Sequence, residues 1–369
     1  MIVKRIFQVL GMIAALMSLI PLIAADYWWI RMFDFPHIQL TVLTVIAILL
    51  YFFTFDYKWK YDYLYISVLI GCLVFQMSKF IDYTPVWPVE IQSSTAGVSP
   101  INTFKIYTAN VLQKNDKHEK LIEEIKELKP DLIVFTETNT KWMNWLQESI
   151  GSDYPHKINQ PQDNTYGMLV YSKLPLENAQ TMFLVDPEIP SMRARVKMKN
   201  GKYFQLLAIH PTPPTPQHNP MSTDRDTELM KTAIKSYQSD IPVIMLGDFN
   251  DVAWSRSTKL TKTIGKLLDL RIGRGFYNTY NAKYPLMRWP LDHILLSPEF
   301  RIKDAATGGA FGSDHFPSWA ELTFEPELAS EQIPEEPTKE DWKRARDQMD
   351  IQGLDSFESL PDTFKEVIE

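Results

Sequence analysis

Carboxylates, amides and imidazoles stand at the ends of apolar runs in this chain. The run Ile241 to Leu246 leads into Gly247, Asp248, Phe249, Asn250 and Asp251. A buried strand that closes on Gly-Asp-x-Asn presents a carboxylate and an amide at its C-terminal edge, a common place for a site in an α/β domain. Five further positions have the same character: Asn110, Glu137, His210, and the pairs Asp292-His293 and Asp314-His315. Oxygen donors of this kind suit Mg²⁺ or Mn²⁺, which keep several waters and take one or two carboxylates plus a substrate phosphate. A histidine backed by an aspartate acts as a base or stabilises charge. Amide side chains orient a water or hold phosphate oxygens. Together these groups suit metal-assisted hydrolysis of a phosphate ester. His293 alternates with Asp292 on a strand, so it is expected on the opposite face in a structural role.

The elements that must position these residues follow from periodicity. Strands are predicted over Phe104–Leu112, Asp131–Glu137, Gly167–Tyr171, Met192–Met198, Tyr203–His210, Ile241–Leu246, Leu291–Leu296, Ala305–Phe311 and His315–Phe324. Helices are predicted from an Asp116 cap through Leu128, over Lys141–Ile150, from Ser222 or Thr223 through Tyr237, and near Lys259–Leu268. Helices interspersed without strict alternation fit a layered α/β domain with mixed sheets better than a parallel barrel. There is no Gly-rich phosphate loop and no internal repeat.

Upstream the pattern is different. Ile6–Ala25, Ile38–Phe55 and Tyr63–Phe80 are apolar runs, and a stretch of about 20 such residues spans a bilayer core of about 30 Å. A signal peptide ending near Ala24-Ala25 is the competing reading of the first run, and the two later runs argue against it. Lys4, Arg5, Lys58 and Lys60 flank one end of these runs, while Arg31 in the intervening loop is offset by Asp26 and Asp34. The positive-inside rule then puts everything after Ile81 across the membrane, on the periplasmic side of a bacterial inner membrane. Residues 1–83 form the anchor, 84–101 a Pro- and Ser-containing linker, 102–324 the site-bearing domain and 325–369 an acidic tail.

The formal net charge is -7, and the tail carries 14 acidic and 5 basic residues, a net of -9. The remainder is therefore +2, which leaves an anionic substrate open for the body while arguing against a generally basic nucleic-acid binder. The tail is expected to be peripheral or disordered, with short helices around Asp341–Met349 and Asp362–Val367. The single cysteine, Cys72, excludes an intrachain disulfide and a multi-cysteine zinc site.

In chain order stand ANV (109–111), PDLIVFTET (130–138), GMLVYSKLPL (167–176), AIHPTPP (208–214), GDFND (247–251), PLDHILLS (290–297) and GSDHFP (312–317). Seven motifs in this order resemble the endonuclease/exonuclease/phosphatase superfamily, the deoxyribonuclease-I-like fold. The resemblance implies a four-layer α/β sandwich, two mixed sheets flanked by helices, here preceded by three transmembrane helices. It implies Glu137 as the principal Mg²⁺ or Mn²⁺ ligand with Asn110 beside it and Asp314 as a further metal-side carboxylate. It also implies that Asp248 orients or deprotonates the attacking water, that Asn250 and His210 contact the phosphate, and that His315 stabilises developing charge. Asp292 becomes the buried partner of His315 or His210. Leu112 stands where many members have an acidic residue, with Asn115 and Asp116 nearby. The expected substrate is a phosphodiester, in a nucleic acid or a lipid headgroup. The alternative is an anchored, non-catalytic domain that binds an anionic ligand or partner. Oligomeric state is not legible.

Overall fold

The computed structural model describes residues 2–23 and 25–349. The expected helix at Asp362–Val367 lies outside the described residues. At the N-terminus stand α1 (Ile2–Leu19, continued by a 3-10 turn Ile20–Ile23), a short α2 (Trp28–Arg31), α3 (His37–Phe52) and α4 (Lys60–Phe80). Two stretches, Ile2–Ile23 and Lys60–Tyr83, are long and apolar enough to cross a membrane. The third expected span is bent: Trp28–Asp34 and His37–Phe52 meet at 69°. Alone, the 16 residues of α3 reach about 24 Å, short of a hydrocarbon core of about 30 Å. Buried Gln76 ties the three helices together, donating to Ser18 Oγ (2.6 Å) and Thr44 Oγ1 (2.9 Å), as polar side chains do between apolar helices. Lys4 pairs with Asp62, which also accepts from Tyr51 Oη (2.8 Å), at the end away from the domain.

The domain is two six-stranded sheets. The first holds β1 (Thr103–Asn110), β2 (Leu132–Thr136), β3 (His156–Gln160), β4 (Met168–Ser172), β11 (Phe300–Thr307) and β12 (Ser318–Phe324), in the order β11-β12-β1-β2-β4-β3. The second holds β5 (Leu176–Met182), β6 (Ser191–Lys197), β7 (Tyr203–Ile209), β8 (Val243–Asp248), β9 (Leu268–Asp269) and β10 (Asp292–Leu296), in the order β5-β6-β7-β8-β10-β9. Only β1–β2 and β7–β8 pair in parallel, so both sheets are mixed. Helices α5 (Glu119–Leu128) and α6 (Thr140–Ile150) cover one sheet, and α7 (Thr223–Tyr237) and α8 (Arg256–Ile264) the other. The result is the expected four-layer sandwich.

Side-chain alternation makes the layers. Phe104 and Ile106 of β1, Leu132 and Val134 of β2, Leu206 and Ala208 of β7, and Ile244 and Leu246 of β8 face inward and form one core between the sheets. Tyr107, Ile133 and Phe135 face α5 and α6, while Leu207 and Met245 face α7 and α8.

Several local expectations are corrected. Asp116 does not cap α5; it pairs with Lys141 (2.6 Å), and α5 starts at Glu119 after His118, whose ring stacks on Trp145. The strand expected at Ala305–Phe311 is displaced to Phe300–Thr307, and His315 lies in the loop before β12. Residues of the expected linker pack on the domain: Ile91 is buried in the inter-sheet core and Glu90 pairs with Lys262 (2.6 Å). In the acidic tail, α9 (Lys339–Gln348) buries Trp342 against α7 and α8, edge-on to Tyr237 at 5.1 Å. Trp342→Ala should therefore cost about 3–5 kcal/mol, read as a lower melting temperature with turnover retained below the transition.

Helix α7 also buries Glu228, which accepts from Ser191 Oγ at 2.6 Å. Burial lifts its carboxyl from 4.5 to about 7. The folded state thus holds a proton that the unfolded chain has lost, so stability falls as pH rises from about 4.5 to 7 and stays lower above that. Glu228→Gln should leave stability unchanged near pH 4 and raise it at pH 8 by up to about 3 kcal/mol, measured by thermal melts at the two pH values.

Candidate active site

The inward-facing rows of the two sheets do not stop where their apolar residues stop. On β1 the row Phe104, Ile106, Thr108 continues to Asn110; on β7 the row Leu206, Ala208 continues to His210 just past the strand; on β8 the row Ile244, Leu246 continues to Asp248. On β10 the same row begins at Asp292 and runs to Ile294 and Leu296. Register brings Asp292 opposite Asp248. The polar cluster is therefore the end cap of the inter-sheet core, which explains why Asn110, His210, Asp248, Asp292 and His315 are all buried. His293, one position out of step, faces the other way: its ring stacks on Phe249 at 4.4 Å and its Nε2 lies 2.9 Å from Asp251 O, the structural role expected.

Glu137 breaks this parity. It follows inward-facing Thr136, so a continued pleat would turn it outward. Its φ of +58° ends the pleat and re-aims the carboxylate at Asn110. Asn250 (φ +51°) makes a similar turn after β8, and Gly247 (φ +135°) passes so close to β7 that a Cβ there would meet Ile209 O at 2.1 Å. Left-handed backbone at Glu137 and Asn250 costs of order 1–3 kcal/mol each and persists where surrounding contacts impose it, often at sites.

Asn110 is the hub. Its Nδ2 donates to Glu137 Oε1 and to Asp248 Oδ2, both at 2.9 Å, joining carboxylates from the two sheets. Its Oδ1 accepts from Leu112 N at 2.9 Å, which sets the orientation of the amide, since the reverse would face oxygen against two carboxylates. Asp248 Oδ1 accepts from Asn250 N at 2.9 Å. His315 Nδ1 lies 2.7 Å from Asp292 Oδ2, and its Nε2 lies 3.6 Å from Asp248 Oδ2. Of the two expected histidine partners, Asp292 thus serves His315. His210 Nε2 is 3.9 Å from Asp248 Oδ2.

Electrostatics separate the two imidazoles. Burial alone would lower the His315 pKa, but Asp292 and Asp248 outweigh it and push it up to about 10. For His210 burial prevails over Asp248 and brings it down to about 4. The cluster therefore holds one imidazolium and one neutral imidazole at neutral pH. Burial raises the Glu137 and Asp248 carboxyls, offset at Glu137 first by the Asn110 hydrogen bond and at Asp248 first by His315.

The donor set fits a hard divalent cation. Atoms of Asp248, Asp292 and His315 lie within 4.8 Å of one another, and Asp292 Oδ1 has no hydrogen-bond partner among the described residues. The imidazolium in that trio would repel a cation, and Glu137, with the charge of Asp314 felt nearby, is the residue outside the trio that could hold one.

With this geometry in hand, comparison places the chain. Residues 103–315 match the Endonuclease/Exonuclease/phosphatase family. The chain belongs to that family. Its fold is similar to D. rerio TDP2 complexed with single strand DNA product (16% identity, 60% of this chain and 99% of that chain, TM-score 0.52). It is also similar to the human Nocturnin catalytic domain with bound sulfate anion (17% identity, 60% and 94%, TM-score 0.50). A third similar structure is a Bacteroides thetaiotaomicron endonuclease/exonuclease/phosphatase family protein (16% identity, 61% and 96%, TM-score 0.50). No curated protein sequence matches significantly.

Among the described residues, neither Asn115 nor Asp116 stands in for an acidic residue at Leu112. Asp116 is exposed and paired with Lys141, and Asn115 uses its side chain on Val111 O and Lys117 N. Leu112 (φ +54°) contributes its backbone N–H to Asn110 instead. Asn250 Nδ2 is committed to Pro211 O (2.9 Å), so this amide ties the site to the Pro-rich loop. Three supports escaped sequence reading. Arg225 of α7 is buried, pairs with Asp226 and Asp251, and donates to Asn250 O at 3.1 Å. Ser313 Oγ donates to Asn110 O (2.8 Å) and accepts from His315 N (3.0 Å). The Tyr280 ring lies 5.0 Å from that of His315. Of the three, Ser313 carried a signal, as the second residue of the GSDHFP motif.

Proposed function

We infer that the protein is a membrane-anchored, divalent-metal-dependent phosphoesterase that hydrolyses a phosphodiester. The observation that carries this reading is the buried convergence of Glu137 and Asp248 on Asn110 Nδ2 beside the His315 imidazolium. The family of hydrolases to which the chain belongs supports it. Glu137, with Asp314 contributing charge and Asn110 beside it, would hold Mg²⁺ or Mn²⁺. Such a cation, when bound, neutralises phosphate charge and favours attack at phosphorus.

The remaining work falls to this chain's own groups. Asp248 is held by Asn110 and by Asn250 N, so its carboxylate has a fixed direction for orienting and deprotonating a water. The water oxygen bonds to phosphorus as its proton passes to Asp248, one ester P–O bond breaks, and the leaving oxygen takes up a proton from solvent to end as an alcohol while Asp248 returns its own to solvent. His315, kept charged by Asp292 and Asp248, stabilises the negative charge that grows on the phosphoryl oxygens. Neutral His210, whose Nε2 lies 3.9 Å from Asp248 Oδ2, would contact the phosphate without adding a second positive charge. Helix topology supports an extracytoplasmic domain: the domain packs on the end of the bundle opposite Lys4 and Lys60.

The test uses the full chain in detergent with bis-p-nitrophenyl phosphate, with Mg²⁺ or Mn²⁺ against chelator and with Asp248→Ala as blank. Metal-dependent turnover absent from the blank is expected. A folded protein with no turnover of any phosphate ester under these conditions would instead favour the anchored binding domain.

A further inference from the structure

The loop from Thr279 to Trp289 joins the site to the anchor. Its base grips the His315 segment: Ala282 N donates to Asp314 O and Phe316 N to Thr279 O, both at 2.7 Å. Its tip does the opposite and turns apolar side chains outward, with Leu286 85%, Tyr284 63% and Met287 55% exposed. Clustered exposure of large apolar side chains marks a surface that meets another apolar phase. The tip is pinned to α3, where Gln39 Nε2 donates to Leu286 O at 3.1 Å, and Trp289 packs edge-on to Phe35 at 5.6 Å. Gln39 lies in the first turn of α3, and the exposed side chains that follow, Val42, Val45, Ile46 and Leu49, are apolar. The tip therefore sits within about one helical turn of the surface that faces hydrocarbon.

The other rim of the site is held at the same level. Trp28 N donates to Pro220 O (2.8 Å) and Ser222 N to Asp26 O (2.7 Å), so the Pro-rich loop is fastened to the segment that follows α1. Tyr27 and Trp29 are half-exposed there, where interfacial aromatics belong.

We propose that the 281–288 loop inserts Tyr284, Leu286 and Met287 into the surface of the bilayer that holds the anchor, and that the site takes its phosphate ester from that surface, as a lipid headgroup ester. The choice of substrate rests on the phosphoesterase reading; the insertion does not. The bilayer is the occupant because the tip adjoins a helix whose exposed side is already built for hydrocarbon. Lys283 and Arg288 flank the apolar tip, a combination that binds anionic interfaces. Arg288 lies over the Phe316 ring at 4.9 Å, next in sequence to His315, so a headgroup phosphate near this guanidinium is close to the reacting groups.

The experiment uses the full chain in nanodiscs of phosphatidylethanolamine and phosphatidylglycerol, in a Cys72→Ala background. Leu286→Cys carries an environment-sensitive dye, and Lys303→Cys, on β11 at the opposite end of the sheets, carries the same dye as control. With brominated acyl chains the dye at 286 should be quenched about twofold and the dye at 303 unchanged. An unquenched dye at 286 overturns the insertion whatever the activity. In the second arm, L286D combined with M287D should lower hydrolysis of the nanodisc lipids about tenfold and leave turnover of bis-p-nitrophenyl phosphate in water unchanged. Equal loss on both substrates, or cleavage of single-stranded DNA but not of lipid, overturns the membrane substrate. Quenching without turnover of any phosphate ester leaves the insertion standing and removes the phosphoesterase reading.

Discussion

His315→Ala should lower kcat on a phosphodiester by about 10³-fold, with KM changed far less. The imidazolium is the one positive charge the described residues place among Glu137, Asp248 and Asp292, and burial from water makes it effective. Losing a buried donor aimed at developing negative charge costs about 10²–10³ in rate, and loss of a proton-transfer group costs a comparable factor. The substitution also leaves Asp248 and Asp292 facing each other across β8 and β10 without a counter-charge. A melting curve must therefore accompany the kinetics. His315→Gln, which keeps one donor, is the companion variant. It should melt above His315→Ala, because one donor still faces the carboxylates, and still lose most of the rate. A His315→Gln protein with near-normal kcat would remove His315 from the chemistry.

Glu137→Gln should lower kcat/KM by more than about 10²-fold and shift the Mg²⁺ or Mn²⁺ concentration for half-maximal turnover upward by about tenfold or more. The amide retains an acceptor for Asn110 Nδ2, so the hydrogen bond at 2.9 Å survives, and only the longer one accepted from Gln113 N (3.3 Å) is lost with the charge. That separates a metal-binding role from a scaffolding one. Calorimetric titration with Mn²⁺ gives a readout independent of turnover. Unchanged titration in the variant would place the cation elsewhere, and the trio Asp248, Asp292 and His315 would be the next candidate.

Much of this site was legible because it obeys period two. Asn110, His210, Asp248 and Asp292 lie in register with inward-facing residues of β1, β7, β8 and β10, so an apolar alternation predicts both the strand and the direction of the polar residue at its end. The same rule separated His293 from Asp292. The N-terminal helices were legible for a related reason: a run of about 20 apolar residues leaves a plain compositional mark. Helix starts were less legible. The N-cap of α5 has no side-chain cap, because Asp116 is drawn to Lys141 across the turn.

The sequence by itself determined the residue types that end each strand, a layered α/β domain with mixed sheets, and the apolar stretches near the N-terminus; the two-sheet, four-layer arrangement followed from the family resemblance. Tertiary structure decided which of these residues meet. Glu137 enters the site only through a left-handed backbone that no periodicity encodes. Asp292 serves His315 and not His210 because β10 pairs antiparallel with β8, a contact across 44 residues of chain. Arg225 supports Asn250 from a buried position on α7, where its charge alone would suggest the surface. The docking of the Thr279–Trp289 loop on α3 and the turn before it joins segments about 250 residues apart, through the Gln39 hydrogen bond and the packing of Phe35 and Ile38 with Trp289. Local propensity acts over a few residues, whereas these pairings are selected by the burial and charge compensation that exist only once the sheets have closed.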